Sequence, residues 1–337
     1  MYESYYGLSA KPFQLKPDPD FFFGSKGHKR AMAYLEYGLG QGEGFIVITG
    51  EVGAGKTTLV RSLFRKLESE KIIAAQIVNT RLDSDDTLRM VVAAFGLPYE
   101  DATKASLLTR LEQFLQQCDK QGKRALLVVD EAQNLSPLAV EELRMLSNFQ
   151  TAENPLLQTF LLGQPEFRKT LLGGDMQQLQ QRVIATYHLG PMDATETRAY
   201  IEHRLHTVGW QGNPSINEDA FATIHDFTGG IPRKINTLCD RLFLMGYLEE
   251  MRNFASSDVT EVIGDIQQEF ELPADKTDAK TEKTSGNGQA EPVAIANDAL
   301  ESMDKRLAKM ERSVISVLGL LKKILSLPSV KTHTGQS

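Results

Sequence analysis

Long apolar runs, cysteine and surplus positive charge are what this 337-residue chain has little of. Its two cysteines, Cys118 and Cys239, sit singly inside helix-like apolar patterns. Neither a disulfide framework nor a thiolate metal site is expected of them, and a reducing compartment suits both. No run approaches the ~18 apolar residues of a membrane span. The opening MYESYYGLSAKPF has no basic stretch followed by an apolar one, so no secretory leader is expected and the cytoplasm is the expected location. Lys and Arg number 37 against 44 Asp and Glu, a net charge of -7. That balance argues against a constitutive duplex-DNA binder, and the clusters HKR (28–30) and RSLFRK (61–66) supply only scattered cations. The remaining composition, 41% hydrophobic and 24% charged, is that of an ordinary globular protein large enough for two domains.

Five short β-type runs are present: FIVIT (45–49), IIAAQIVN (72–79), ALLVVD (125–130), LQTFLLG (157–163) and ATYHL (185–189). They lack clean alternation, as strands covered on both faces do. Helical patterns separate them. DSDDTLRMVVAAFGLP carries Asp and Ser caps and a Gly-Pro stop, and SPLAVEELRMLSNF has Ser136 as N-cap with Pro137 in the first turn. Strand–helix alternation predicts a parallel α/β sheet with right-handed crossovers. Before it, residues 1–38 hold an aromatic and proline-rich segment and a helix spaced at Met32, Leu35 and Leu39. After it, 191–270 reads as four helices and 271–297, rich in Lys, Glu, Thr and Gly, as a flexible linker. Residues 298–327 keep a heptad seam from Leu300 through Met303, Leu307, Met310, Val314, Val317 and Leu321 to Ile324. That helix has three readings: docking on its own protein, pairing as a coil, or lying on a membrane.

The chemistry is concentrated in GEVGAGKTT: Gly50, Glu51, Val52, Gly53, Ala54, Gly55, Lys56, Thr57 and Thr58. A glycine-rich turn after a strand and before a helix points backbone N–H groups at phosphate oxygens, and the helix N-terminus favours the same charge. Lys56 is expected to reach the β- and γ-phosphates of ATP, and Thr57 to ligate Mg²⁺. The second element is ALLVVDEAQNL. Asp130, ending an apolar strand, is expected to hold the magnesium shell, and Glu131 to polarise a water against the γ-phosphate. Two consecutive carboxylates there favour hydrolysis over binding alone.

A strand between these two motifs, with a Glu after the Asp, resembles the AAA+ ATPases. The resemblance implies a P-loop NTPase of α/β class with a five-stranded parallel sheet (39–190), a small all-helical lid domain (191–270) and, in this chain, a C-terminal helix. It implies a polar γ-phosphate sensor at Gln164, after LLG; an arginine finger at Arg182, before the fifth strand; and a sensor-2 arginine at Arg233 in TGGIPRKIN. An arginine finger acting on a neighbour would require a homo-oligomer. Asn79 is either a plain turn residue or a partner that restrains Glu131. Pro19, Phe22 and Phe23 either border the adenine or pack on the first helix. His28 is read as a structural helix-start residue, and Tyr187 and His188 as core or edge positions.

Several stretches are more specific. MYESYYGL, PDPDFFF, AMAYLEYGL, GEVGAGKTTL, VVDEAQNL, EELRMLSNF, LLGQPEF, YIEHRL and FTGGIPRKINTLCDRLFLMGY resemble the ExeA type of general secretion ATPase. Among these they are most similar to the secretion ATPases of PEP-CTERM/exosortase loci, which lie beside exopolysaccharide genes. The resemblance covers about residues 1–270. It implies a cytoplasmic ATPase, peripheral to the inner membrane at most, that serves secretion or polysaccharide-export partners. The membrane span and peptidoglycan-binding domain typical of the ExeA type have no counterpart in this sequence. Two other functions remain open at this level: a DNA-acting AAA+ loader, and a nucleotide-dependent scaffold with little turnover.

Overall fold

A computed structural model describes residues 1–67, 71–78, 84–152, 154–173 and 176–270. The expected linker at 271–297, the helix at 298–327 and Asn79 lie outside the described residues.

Five strands form one parallel sheet: β1 (Phe45–Gly50), β2 (Ile72–Ile77), β3 (Arg124–Val129), β4 (Leu157–Gly163) and β5 (Val183–Leu189), in the order β2-β3-β4-β1-β5. Each is within about two residues of its expected run. Alternate residues serve opposite faces, as a pleated strand requires. Phe45, Val47, Leu127 and Val129 enter one core with α4 (Ser84–Ala94), α5 (Lys104–Lys120) and α6 (Pro137–Leu146). Ile46, Ile48, Leu126 and Val128 enter the other with α2 (Lys26–Gln41) and α3 (Lys56–Lys66). Both faces are therefore dry, which explains the unbroken apolar runs. The buried side of α2 includes Met32, Leu35 and Leu39, and the Ser136 hydroxyl accepts from Ala139 N at 3.1 Å to cap α6. Two short helices, α7 (Pro165–Leu171) and α8 (Gln177–Gln180), link β4 to β5.

The second half is built from α9 (Ala194–Thr207), α10 (Glu218–Thr228), α11 (Pro232–Leu248) and α12 (Ser256–Phe270). Its sequence reads as helices only, yet β6 (Ser215–Ile216) and β7 (Asn253–Phe254) pair as a two-residue parallel ladder. Segments this short carry no periodicity to read. The larger difference lies at the N-terminus. Tyr2 and Tyr6 of α1 (Tyr2–Tyr6), with Leu8, Phe13 and Phe21, share the core of α9–α12. Tyr6 and Phe13 meet Phe243 edge to face at 5.4 and 5.3 Å, an arrangement aromatic quadrupoles favour. Tyr2 to Phe13 thus pack with the helical half, whereas Pro17 and Asp20 also meet Arg61 and Arg65 of α3 at 2.9 and 2.7 Å and α2 covers the sheet. The boundary expected after residue 38 falls inside α2. Among the described residues, no helix is long and apolar enough to cross a membrane.

Candidate nucleotide-binding site

At the carboxyl end of the sheet, neighbouring β1 and β4 lead into helices on opposite faces, α3 and α7, which makes the gap between them the switch point at which open α/β sheets bind ligands. Gly50 closes β1, the loop 51–55 follows, and α3 opens at Lys56. Gly53 and Gly55 have φ of 82° and 96°, a region L-residues rarely adopt. Close packing demands glycine here as well. A Cβ on Gly53 would stand 2.3 Å from Arg233 Cβ, and one on Gly55 2.8 Å from His28 Nε2. Lys56 is buried, and its Nζ donates to the carbonyls of Gly50 at 2.7 Å and Glu51 at 3.0 Å. Burial lowers its ammonium pKa, against the pull of the Glu131, Asp130, Glu51 and Glu166 carboxylates.

Thr57 Oγ1 donates to Asp130 Oδ2 at 2.8 Å, joining the first turn of α3 to the end of β3. The other oxygen of Asp130 accepts from Glu131 N at 2.9 Å. Glu131 is held at φ 56°, ψ 40°, a left-handed conformation costing a non-glycine residue about 1–2 kcal/mol. Its Oε2 accepts from Gln133 Nε2 at 2.5 Å and from Gln164 Nε2 at 3.2 Å. Gln164 therefore meets Glu131 at the end of β4, as two polar ends of neighbouring strands do.

A cavity of about 200 Å³ lies beside this loop, and Lys56, Thr57, Glu131 and Arg233 all reach it. Arg233 comes from the helical half, and its backbone N donates to Gly53 O at 3.2 Å. Arg182 is elsewhere. It precedes β5 at the amino end of the sheet, where its carbonyl accepts from Phe45 N at 2.9 Å and its guanidinium donates to Ser147 Oγ at 3.0 Å. The length of β5, about 20 Å at ~3.3 Å per residue, separates it from the loop of the same chain.

The N-terminal segment forms the remaining wall. Phe22 and Phe23 line the cavity and Pro19 does not; Pro17 and Phe21 do. Phe22 also meets the His28 ring edge-on at 5.6 Å, so bordering the cavity and packing on α2 both occur. His28 is a helix-start residue, its N donating to the Ser25 hydroxyl that caps α2, and it also touches the phosphate loop. Arg204, buried on α9, donates to Pro12 O at 2.5 Å, Gln14 O at 3.2 Å and Tyr200 Oη at 2.8 Å, with the Phe21 ring 4.8 Å beneath it. Tyr200 Oη in turn donates to Asn236 Oδ1 at 2.9 Å. Sequence reasoning passes over Gln133, Arg204 and Asn236. Gln133, two residues beyond Glu131, has a local signal; the other two have none. Tyr187 stacks on Tyr34 at 5.3 Å beside edge strand β5, and His188 Nδ1 pairs with Thr49 Oγ1 at 3.1 Å.

This donor set suits a magnesium nucleotide. A cation bonded to backbone carbonyls in a glycine loop is poised to take anionic oxygens instead, and a hydroxyl–carboxylate pair is the usual small protein share of a magnesium shell.

Sheet order, loop and helical half together define an AAA+ P-loop fold. Residues 39–171 match the family model described as "AAA domain". The fold is similar to the ORC2 protein of Aeropyrum pernix (TM-score 0.59, 16% identity, 76% of this chain and 72% of that one). It is similar also to Cdc6p of Pyrobaculum aerophilum (0.58, 16%, 74% and 71%). Over 261 residues the chain is 40% identical to "General secretion pathway protein A" of Aeromonas hydrophila, covering 77% of this chain and 47% of that protein. The chain thus spans about half the length of that curated relative.

Proposed function

We propose that this chain is a magnesium-dependent ATPase that powers or regulates assembly of an envelope secretion system. The observation that carries the reading is the Thr57–Asp130 hydrogen bond at 2.8 Å, with Glu131 next in the chain and Lys56 preceding Thr57. Likeness to a protein named for general secretion supports the pathway. The resemblance to exosortase-associated ATPases favours exopolysaccharide export as the particular system, with the protein at the cytoplasmic side of the inner membrane.

In this reading the N–H groups of loop 51–55 and the N-terminus of α3 hold the phosphate oxygens, and Lys56 turns from its carbonyls to the β- and γ-oxygens. Thr57 and Asp130 would hold magnesium, which would supply positive charge to offset that of the phosphates. Glu131 accepts a proton from water as the water oxygen bonds to the γ-phosphorus and the bond to the β-phosphate oxygen breaks, releasing ADP. Gln164 senses the terminal phosphate through Glu131, whose carboxylate it touches at 3.2 Å, and Arg233 couples it to the helical domain. Arg182, too far from the loop of its own chain, serves a neighbouring copy in a homo-oligomer.

Lys56→Ala removes a charged donor, so ATP affinity measured by calorimetry falls about 10- to 100-fold. Glu131→Gln keeps that affinity and loses about 10²- to 10⁴-fold in phosphate release. Equal loss of binding in both variants contradicts this division of roles.

A further inference from the structure

We infer that Gln133 is a positioning residue that restrains the Glu131 carboxylate directly, while Gln164 anchors the other end of its amide. This inference rests on the ATPase reading above. The orientation of the Gln133 amide follows from its partners: Oε1 accepts from the backbone N of Gln164 at 3.0 Å, which leaves Nε2 facing Glu131 Oε2 at 2.5 Å. Gln164 places a second amide on the same oxygen at 3.2 Å. Two N–H donors on one oxygen fill its lone pairs and hold the carboxylate plane in a single orientation. The backbone adds to the restraint. Glu131 sits in the left-handed region with its N–H on Asp130, and Gln133 follows in the single 3₁₀ turn Ala132–Asn134.

Glu131 reaches the cavity, whereas neither Gln133 nor Gln164 lines it. Gln133 therefore acts through another residue and does not touch the nucleotide. Because its two amide ends bridge Glu131 at β3 and Gln164 at β4, a movement of Gln164 withdraws both donors together. The carboxylate is released when Gln164 shifts and held when it does not. A polar side chain whose only task was to satisfy the turn would not need to join these two particular residues.

The test is steady-state phosphate release by the full chain with Mg-ATP, comparing the natural protein with Gln133→Met. Expected is a kcat about 3- to 10-fold higher, the scale of one net hydrogen bond, with KM and calorimetric ATP affinity unchanged. If that variant does not fold, Gln133→Leu likewise removes the donor to Glu131 without placing a second charge beside it, and the same rise is expected of it. A natural protein that hydrolyses ATP beside a folded variant with equal or lower kcat, or with an altered KM instead, overturns the inference and leaves the ATPase reading standing. Hydrolysis by neither protein overturns both.

Discussion

The two walls of the cavity are made in opposite ways. On the sheet side, the lining residues come from Gly50 to Thr58 and from Glu131 beside Asp130, contiguous stretches delivered by strand ends, and their mutual geometry follows from strand pairing. On the helical side, Arg204 of α9 reaches back to Pro12 and Gln14, 192 and 190 positions earlier in the chain. The first wall needs only the parallel sheet to form. The second needs the N-terminus to find the helical half, so its assembly is a long-range event with the loop-closure entropy that entails. The difference teaches that phosphate chemistry is locally encoded here while the shape of the ligand's surroundings is not.

The strongest way to break this contrast is to act where the walls touch. Gly53→Ala and Gly55→Ala drive a methyl into Arg233 Cβ and His28 Nε2 respectively, at backbone angles that already disfavour alanine. Each variant should displace the loop and lose at least two charged hydrogen bonds to phosphate, a fall in ATP affinity of roughly 100-fold or more. Calorimetry reads this directly, and near-natural affinity in Gly53→Ala would mean that the helical half does not press on the loop in solution.

Arg204→Met addresses the helical wall alone. It leaves the Pro12 carbonyl and the Tyr200 hydroxyl without the Arg204 donor and the Gln14 carbonyl with Asn236 Nδ2 at 3.4 Å, a loss of about 2 kcal/mol at about 1 kcal/mol for each of the first two. Expected is a lower thermal midpoint and a higher KM for ATP, with kcat at saturation retained because Lys56, Asp130 and Glu131 stand on the other wall. A drop in kcat with unchanged KM would erase the separation.

The same contrast explains what was legible. All five strands, the crossovers, and the meeting of Lys56, Thr57 and Asp130 follow from apolar runs and spaced motifs, because local pattern and tertiary position agree there. Arg233 and Gln164 came through the AAA+ likeness, not through any property of their neighbourhoods. The N-terminal aromatics were visible as a cluster, yet an aromatic cluster does not state its partner; that Tyr2, Tyr6 and Phe13 belong with Phe243 rests on packing alone. The β6–β7 ladder is two residues long and below the reach of any periodicity. Arg204 carries no signal in the sequence, and only the carbonyls turned toward it make it internal.

The smallest expected effect concerns His28, where the two walls meet the phosphate loop. Its imidazole is buried, with Ser25 Oγ 2.7 Å from Nδ1, the Phe22 ring at 5.6 Å and the backbone of Ala54 and Gly55 against the far nitrogen; Glu196 is the acid that acts on it. Burial lowers its pKa below the ordinary 6.5, outweighing the Ala54 contact and Glu196. His203 is shifted the same way, chiefly by burial and by the neighbouring Arg204. With a depressed pKa in the folded state, the unfolded chain binds more protons between the two values, so stability is intact above pH 6.5 and declines as pH falls below it. Each histidine contributes at most about 1.4 kcal/mol per pH unit in that window. Thermal midpoints taken between pH 7.5 and 5.5, above the main carboxylate range, should fall with acid in the natural protein. They should fall less in His28→Gln, which keeps a donor near the position of Nε2 but has no proton to gain. The slope left in His28→Gln then belongs to His203, the remaining histidine displaced by burial, and removing it with His203→Gln should flatten the curve further. An equally steep decline in the natural protein and in His28→Gln would show that His28 takes its proton as readily in the folded chain as in the unfolded one, and the contact between the two walls would have to be assigned to Arg233 and Gly53 alone.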